Sequence, residues 1–427
     1  MHPRSSVIVG YDMVSPLGTD PHAQWETACA GQSGIGPLTR FEINTEFPVR
    51  IAGQVPEFDP GPYPFLSPRK MANWRSPVFR HALLVVSRAL EKSGLEITSE
   101  LAPRTAVTFS SAVGGQDAVL EADRRMREAG KLPHPYTNPN SCINMVTGKV
   151  AILTGATGPI MSTITACATG AASLITGAML IESGRADLAI CGAVDFALVE
   201  PIVAGFATMN GAFRHKPQSP VAPEAASQPF SKDRRGFVIS EGAGAVILAS
   251  SQFAKAHGLG FDVGLAGWSM TADAHHFVAP YAPTVRRCIK ESIDTAGIAP
   301  ADIDSVNAHA ASTRTGDAVE HEALLSVFGA KLPPVTANKS MTGHAMGASS
   351  AIESILAVSG MLAGKITPTI NYVPDPEMPV DEMVTHLQAA DQTFVLKNAF
   401  GFGGCNACLV FQQIGRASGR ERVCVGV

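Results

Sequence analysis

The sequence predicts an α/β fold of two similar halves, each βαβαβαββ, stacked in alternating layers of helix and sheet. Three observations lead there. Short β-branched and apolar runs alternate with helix-length segments as far as residue 414, with crossovers long enough for parallel pairing. The order read between residues 5 and 248 is read again between 261 and 413. The segments after Cys167 and over 346–364 carry no polar stripe. Both are therefore helices covered on every side, and a helix layer between two sheets supplies that cover.

In the first half, residues 5–10 form a strand, Ser15-Pro-Leu-Gly-Thr19 a turn and 22–30 a short helix. Residues 35–70, rich in Pro, Gly and Phe, run over the surface. A helix over 76–94 and a strand over 105–109 lead into the turn Ser110-Ser-Ala-Val-Gly-Gly115. A second excursion ends in a helix over 144–154. Residues 161–184 read as a buried strand that turns at Cys167 directly into a buried helix. Strands over 187–191 and 244–248, separated by a Pro-rich loop over 214–230, complete the half.

The second half reads as a strand over 261–269, a helix over 283–297, a strand over 303–308 and a helix over 317–328. A short strand over 334–337, a helix over 346–363 and strands over 393–398 and 405–413 follow. The halves divide as 1–255 and 256–414. The tail 415–427 changes composition abruptly after a finished strand and reads as disordered or non-native.

A formal charge of −4, from 33 basic and 37 acidic residues, gives no reason to expect nucleic acid or an anionic membrane surface as partner. The eight cysteines are scattered, and Cys405 with Cys408 has no second pair to complete a zinc site, so no metal is expected. Reduced thiols point to a cytoplasmic protein. The N-terminus has no apolar run of signal-peptide length, and Glu353 with several serines argues against a membrane span over 346–364.

Cys167 sits at the start of a helix, whose unpaired N–H groups and positive end favour thiolate, the nucleophilic form. A lone buried cysteine is more often core filling. Three stretches of the second half bring what a nucleophile needs. The stretch from Val306 to Glu320 has His309 where a strand gives way to a loop. Asn338-Lys339-Ser-Met-Thr-Gly-His344 places a lysine and a histidine between a strand and a helix. Asn398-Ala-Phe400-Gly-Phe402-Gly-Gly404 is a glycine-rich link whose backbone can approach a ligand closely. Each alone also fits an ordinary structural residue or turn. Because each follows a strand, a pseudo-two-fold can bring them to Cys167.

With these blocks and Pro229-Phe-Ser-Lys-Asp-Arg-Arg-Gly-Phe237, the chain resembles the elongating β-ketoacyl-acyl-carrier-protein synthases of the thiolase-fold superfamily, from the first strand to about residue 414. The resemblance implies a thiolase fold, layered αβαβα, and a decarboxylative Claisen condensation in a fatty-acid or polyketide system. Cys167 would hold the acyl chain as a thioester, with the N–H groups of Cys167 and Phe402 as oxyanion hole. His309 and His344 would both bind the malonyl thioester oxygen where enolate charge develops, and Lys339 would order them. Val113, Phe400 and Phe402 would line and gate the acyl pocket, Thr313 would bind the pantetheine arm, and Arg69 and Lys70 would dock the carrier. The implied partners are acyl carrier protein and a second ketosynthase-like chain, identical or related. The only prosthetic group implied is the carrier's phosphopantetheine.

A Cys, His, His set separates this chain from the Cys, His, Asn set of chain-initiating relatives, and Cys167 separates it from chain-length-factor subunits that lack the nucleophile. An acyltransferase or decarboxylase performing half the cycle, or a mainly structural partner subunit, remains an alternative. The sequence departs from the family pattern at Ala311, Val278, Ala399 and Cys405. These changes are expected to cluster near the substrate channel and to signal a specialised or secondary-metabolic substrate; ordinary drift in a housekeeping fatty-acid enzyme is the alternative.

Overall fold

The computed structural model describes residues 4–216, 218 and 220–414; the expected disordered tail lies outside them. In the first half the strands of the main sheet are β1 (Ser6–Val14), β2 (Thr105–Val107), β3 (Leu188–Phe196) and β4 (Glu241–Ser250). In the second they are β5 (Val263–Ala272), β6 (Ser305–Asn307), β7 (Val335–Thr336), β8 (Phe394–Gly401) and β9 (Cys405–Gln413). The principal helices are α1 (Pro77–Ser93), α2 (Asn144–Thr154), α3 (Thr169–Glu182), α4 (Ala282–Ala296), α5 (Arg314–Phe328) and α6 (Gly347–Ala363).

The sheet order is β2-β3-β4-β1-β5-β9-β8-β6-β7. Within each half the last strand, β4 or β9, runs antiparallel between its neighbours, while β2 with β3, and β8 with β6 and β7, are parallel. The two half-sheets were expected to be separate. They are joined edge to edge, but only through Ser6 opposite Leu265 and Val7 opposite Gly264. The strand expected just before Cys167 is a single bridge between Ile160 and Val107, flanked by hydrogen bonds from Val107 N to Pro159 O and from Met161 N to Val107 O. Counting that segment as a third strand, the first half has the same 3-2-4-5-1 order as the second.

Five layers result. α1 covers β1 and β4 on one outside, and α4 covers β5 and β9 on the other, with α5 beside it. Between the half-sheets, α3 and α6 pack on each other and touch strands of both. This is the thiolase fold, with its pseudo-two-fold between α3 and α6. Both helices are well covered: α1 buries Val78, Phe79, every residue from His81 to Val86 and Ala89, and emerges at Glu91 and Lys92, whereas α6 is buried along almost its whole length. α1 starts with Pro77 in its first turn and stops at Gly94 in the left-handed conformation, φ 68°. The central helices cross at backbone contact, where a Cβ on Gly170 would lie 2.5 Å from Ala351 N. Ala171 N, one of the free donors in the first turn of α3, bonds Ser350 Oγ at 3.0 Å.

Candidate active site

Cys167 lies in the tight turn Ala166–Ala168 that leads into α3. Thr169 Oγ1 ties the turn, accepting from Thr165 N at 3.0 Å and donating to Ala166 O at 2.7 Å. Gly401, at the end of β8, presses on it from the other half; a Cβ there would be 2.3 Å from Thr165 O. Ala166 is held at φ 48° next to the cysteine, and Met346 at φ 48° caps the symmetry-related α6. Left-handed conformation at a non-glycine residue costs energy and persists where the surroundings impose it. Both instances here flank the same pocket.

His344 is carried on the chain entering α6 and held by both its backbone groups: its N donates to Val238 O at 2.7 Å and its O accepts from Ser240 N at 2.9 Å. Val238 and Ser240 follow the Pro229 block, whose Phe237 sets its ring edge-on to His344 at 5.3 Å. The imidazole Nε2 is 3.1 Å from Cys167 Sγ, and Nδ1 is 2.9 Å from Ser349 Oγ, which also accepts from Ala345 N at 2.7 Å. His309, just beyond β6, has its ring 5.6 Å from that of His344 at 83° and 5.7 Å from Phe400. Its Nδ1 is buried with no partner among the described residues.

The frame around His309 is ionic. Its backbone N donates to Glu320 Oε1 at 2.8 Å, and its carbonyl accepts from Lys339 Nζ at 2.7 Å. Lys339 Nζ also lies 2.5 Å from Glu353 Oε1, while Glu353 Oε2 faces Lys397 Nζ at 2.8 Å. Lys339, Glu353 and Lys397 are almost wholly inaccessible.

The expected thiolate is not the resting state. Burial pushes the Cys167 thiol up from an ordinary 9.0 to about 12; the Lys339 charge and the N–H groups of Phe402 and Cys167 pull the other way. That rise corresponds to about 4 kcal/mol, more than the ~2 kcal/mol a helix N-terminus offers at best. Sulfur is therefore a neutral thiol touching an imidazole. Both imidazoles are neutral as well: burial first, then Lys339, holds His309 and His344 well below the usual histidine range.

Cys167, His309, His344, Val113, Thr313, Phe400 and Phe402 all line one cavity of about 1010 Å³. Lys339 does not line it and lies behind His309, on its carbonyl. Arg69 and Lys70 are exposed on the turn Pro68–Met71 and are not among its lining residues; the exposed Arg214, Lys216 and Arg314 are. Of the four departures, Ala311 and Val278 line the cavity, but Ala399 and Cys405 do not, so the expected clustering holds for half of them. Ala399 is core, packed in the central cluster. Ser349, Lys397 and Asp195 were not among the expected site residues. A lysine inside the apolar run of β8 and a carboxylate closing the run of β3 are the signals that could have found the last two. Asp195 accepts from Ser111 Oγ at 2.6 Å and Val113 N at 2.9 Å, and so fixes the pocket wall.

Among the described residues, no helix is long and apolar enough to cross a membrane. Two family models match the chain: "Beta-ketoacyl synthase, N-terminal domain" over residues 4–254 and "Beta-ketoacyl synthase, C-terminal domain" over 264–373. A 3-oxoacyl-[acyl-carrier-protein] synthase 2 of Staphylococcus aureus (strain COL) is 34% identical over 415 residues, covering 95% of this chain and 98% of the relative. Among solved structures, an ishigamide ketosynthase/chain length factor aligns with TM-score 0.87 and 29% identity, over 96% of this chain and all of that one. A type II polyketide synthase acyl-carrier protein in complex with its ketosynthase, bound to the hexaketide, aligns with TM-score 0.86 and 26% identity, over 97% and 100%.

Proposed function

This chain belongs to the β-ketoacyl synthase family, and we propose that it condenses an acyl group held on Cys167 with a malonyl group delivered by acyl carrier protein. The observation that carries the reading is the contact of Cys167 Sγ with His344 Nε2 at 3.1 Å, beside His309, in a cavity large enough for a pantetheine arm.

In the first half-reaction His344 Nε2 takes the thiol proton and the sulfur attacks the acyl thioester. The tetrahedral oxyanion is held by the N–H groups of Cys167 and Phe402, which act on the sulfur by lowering its pKa against the effect of burial. The carrier's thiolate leaves and receives the proton. In the second, the malonyl carboxylate departs as carbon dioxide and its electron pair moves towards the thioester oxygen. Neutral His309 donates to that oxygen, and neutral His344 donates beside it once its single proton sits on Nε2 and Nδ1 accepts from Ser349 Oγ; Lys339 fixes His309 through its carbonyl. The carbanion then attacks the Cys167 thioester, the bond to sulfur breaks, the departing thiolate takes a proton from solvent by way of His344, and the β-ketoacyl product stays on the carrier.

Thr313 meets the pantetheine arm, and Val113, Phe400 and Phe402 form the acyl side of the pocket. Ala311 and Val278 make its wall more apolar, which suits a specialised acyl chain. The carrier's acidic face rests on Arg214, Lys216 and Arg314 at the cavity's exposed edge, with Arg69 and Lys70 as outer contacts. A second ketosynthase-like chain, identical or related, covers the edge at 159–164, where Ile160, Met161 and Ile164 are exposed. A cytoplasmic setting accords with the free thiols of the described cysteines.

Incubation with acyl carrier protein substrates and intact-protein mass spectrometry tests the assignment. An acyl adduct absent from Cys167→Ala, followed by carbon dioxide release and a β-ketoacyl product on adding malonyl carrier protein, is expected. Decarboxylation without chain extension, or no adduct at all, would overturn it.

A further inference from the structure

Lys397 is buried as completely as any residue in the molecule, yet the condensation just described gives it no task. We propose that Lys397 is a positioning residue of the condensing site, a second buried cation that balances two carboxylates behind the histidines and so keeps a positive field on the developing enolate. Two chains of contacts link it to His309. In one, Lys397 Nζ meets Glu353 Oε2 at 2.8 Å, Glu353 Oε1 meets Lys339 Nζ at 2.5 Å, and Lys339 Nζ donates to His309 O at 2.7 Å. In the other, Lys397 Nζ donates to the carbonyl of Asn398, whose Nδ2 donates to Glu320 Oε1 at 3.0 Å; Glu320 in turn accepts from His309 N and Ala310 N at 2.8 and 2.7 Å.

The charge count gives the reason. Glu320 from α5 and Glu353 from α6 are both buried behind the imidazoles, and Lys339 alone would leave two carboxylates against one ammonium. The further acids near the pocket are Asp317 on α5 and Asp195 on β3, with the Cys167 thiol in front. An uncompensated buried carboxylate would draw protons onto the histidines and repel the enolate, because Coulomb interactions are weakly screened where water is excluded. Lys397 offsets the second of the two glutamates, while Asp317 has the Arg234 charge beside it and Asp195 is held by Ser111 and by the N–H groups of Ala112 and Val113. Its charge, like that of Lys339, disfavours imidazolium at both His309 and His344. A methionine would fill the same space without the desolvation cost that an ammonium carries.

The inference rests on the proposed condensation, and the experiment separates the two. Lys397→Met removes the charge at similar volume, and Lys397→Gln also keeps a donor for Glu353 and the Asn398 carbonyl. Each is compared with the unaltered full-length chain for decarboxylation of malonyl carrier protein and for the pH dependence of Cys167 acylation by acyl carrier protein. Decarboxylation is expected to fall about tenfold. The acid limb of acylation, set by protonation of His344, is expected to rise by about one pH unit towards 6.5, with acylation above pH 8 little changed. Folded variants with both profiles unchanged, or with both reactions falling in proportion at every pH, overturn the inference. Should neither variant fold, Glu320→Gln decides, because it removes one carboxylate from the same cluster: an acid limb of acylation moved further below that of the unaltered protein supports the inference, and an unmoved limb overturns it. If the unaltered protein neither acylates nor decarboxylates, the condensation reading itself fails.

Discussion

A cysteine whose thiol is pushed up to about 12 and an imidazole kept neutral are a poor pair at rest and a good one in reaction. The sulfur ionises only as His344 takes its proton, so alkylation by iodoacetamide, followed by mass spectrometry, should keep accelerating from pH 7 to beyond pH 10. A plateau near pH 7 would mean a stored thiolate and sink this view. The histidines divide the work. His309→Ala removes a donor that faces the substrate but not the sulfur, and is expected to slow decarboxylation by about 100-fold or more while sparing acylation. His344→Ala should impair both half-reactions. Selective loss of acylation in His309→Ala, measured by single-turnover adduct formation, would reverse the assignment.

At the scale of elements, the site is a meeting of chain turns. The turn at Ala166–Ala168 opens α3, the His344 segment opens α6, and β8 ends at Gly401 against the first of them. A methyl group on Gly401 would collide with Thr165 O, so Gly401→Ala should shift the cysteine and slow acylation by about 100-fold with the fold intact by circular dichroism. Unchanged acylation would show that the turn can yield. Ser349 ties the other opening, holding both Ala345 N and the His344 ring. Ser349→Ala strands a buried donor, an expected loss of about 1–3 kcal/mol in a denaturant melt, together with slower acylation.

For the whole molecule, burial of uncharged imidazoles makes stability depend on pH. His81, stacked on Phe196 with ring centroids 4.0 Å apart, is held down to about 3, against an ordinary 6.5, chiefly by burial. The unfolded chain therefore binds the proton first. This stability is complete above pH 6.5 and is lost as pH falls from there towards 3, by about 1.4 kcal/mol per pH unit for each such group. His309 and His344 add in the same direction. Melting temperature should fall steadily below pH 6.5, and less steeply in His81→Phe; equal slopes would remove burial of this ring as the cause. At the edge of the first half-sheet, Ile160→Glu with Ile164→Glu should shift sedimentation from a two-chain to a one-chain species if that edge is covered as proposed.

The sequence by itself determined the layered α/β class, because strand and helix leave different periodicities and because covered helices such as α6 lack a polar stripe. It also placed Cys167, His309, Lys339 and His344 at strand ends, where chemistry is displayed. The run before Cys167 does not form a strand: a β-branched run specifies extended chain, but a ladder needs a partner, and among the described residues its one bridge is Ile160 to Val107. The protonation of the sulfur and the second lysine were decided by tertiary structure alone. A helix N-terminus is a local feature legible along the chain, whereas desolvation depends on what every other segment places around an atom. Lys397 and Glu353 are 44 residues apart in sequence and 2.8 Å apart in space, and only folding makes them one charge cluster.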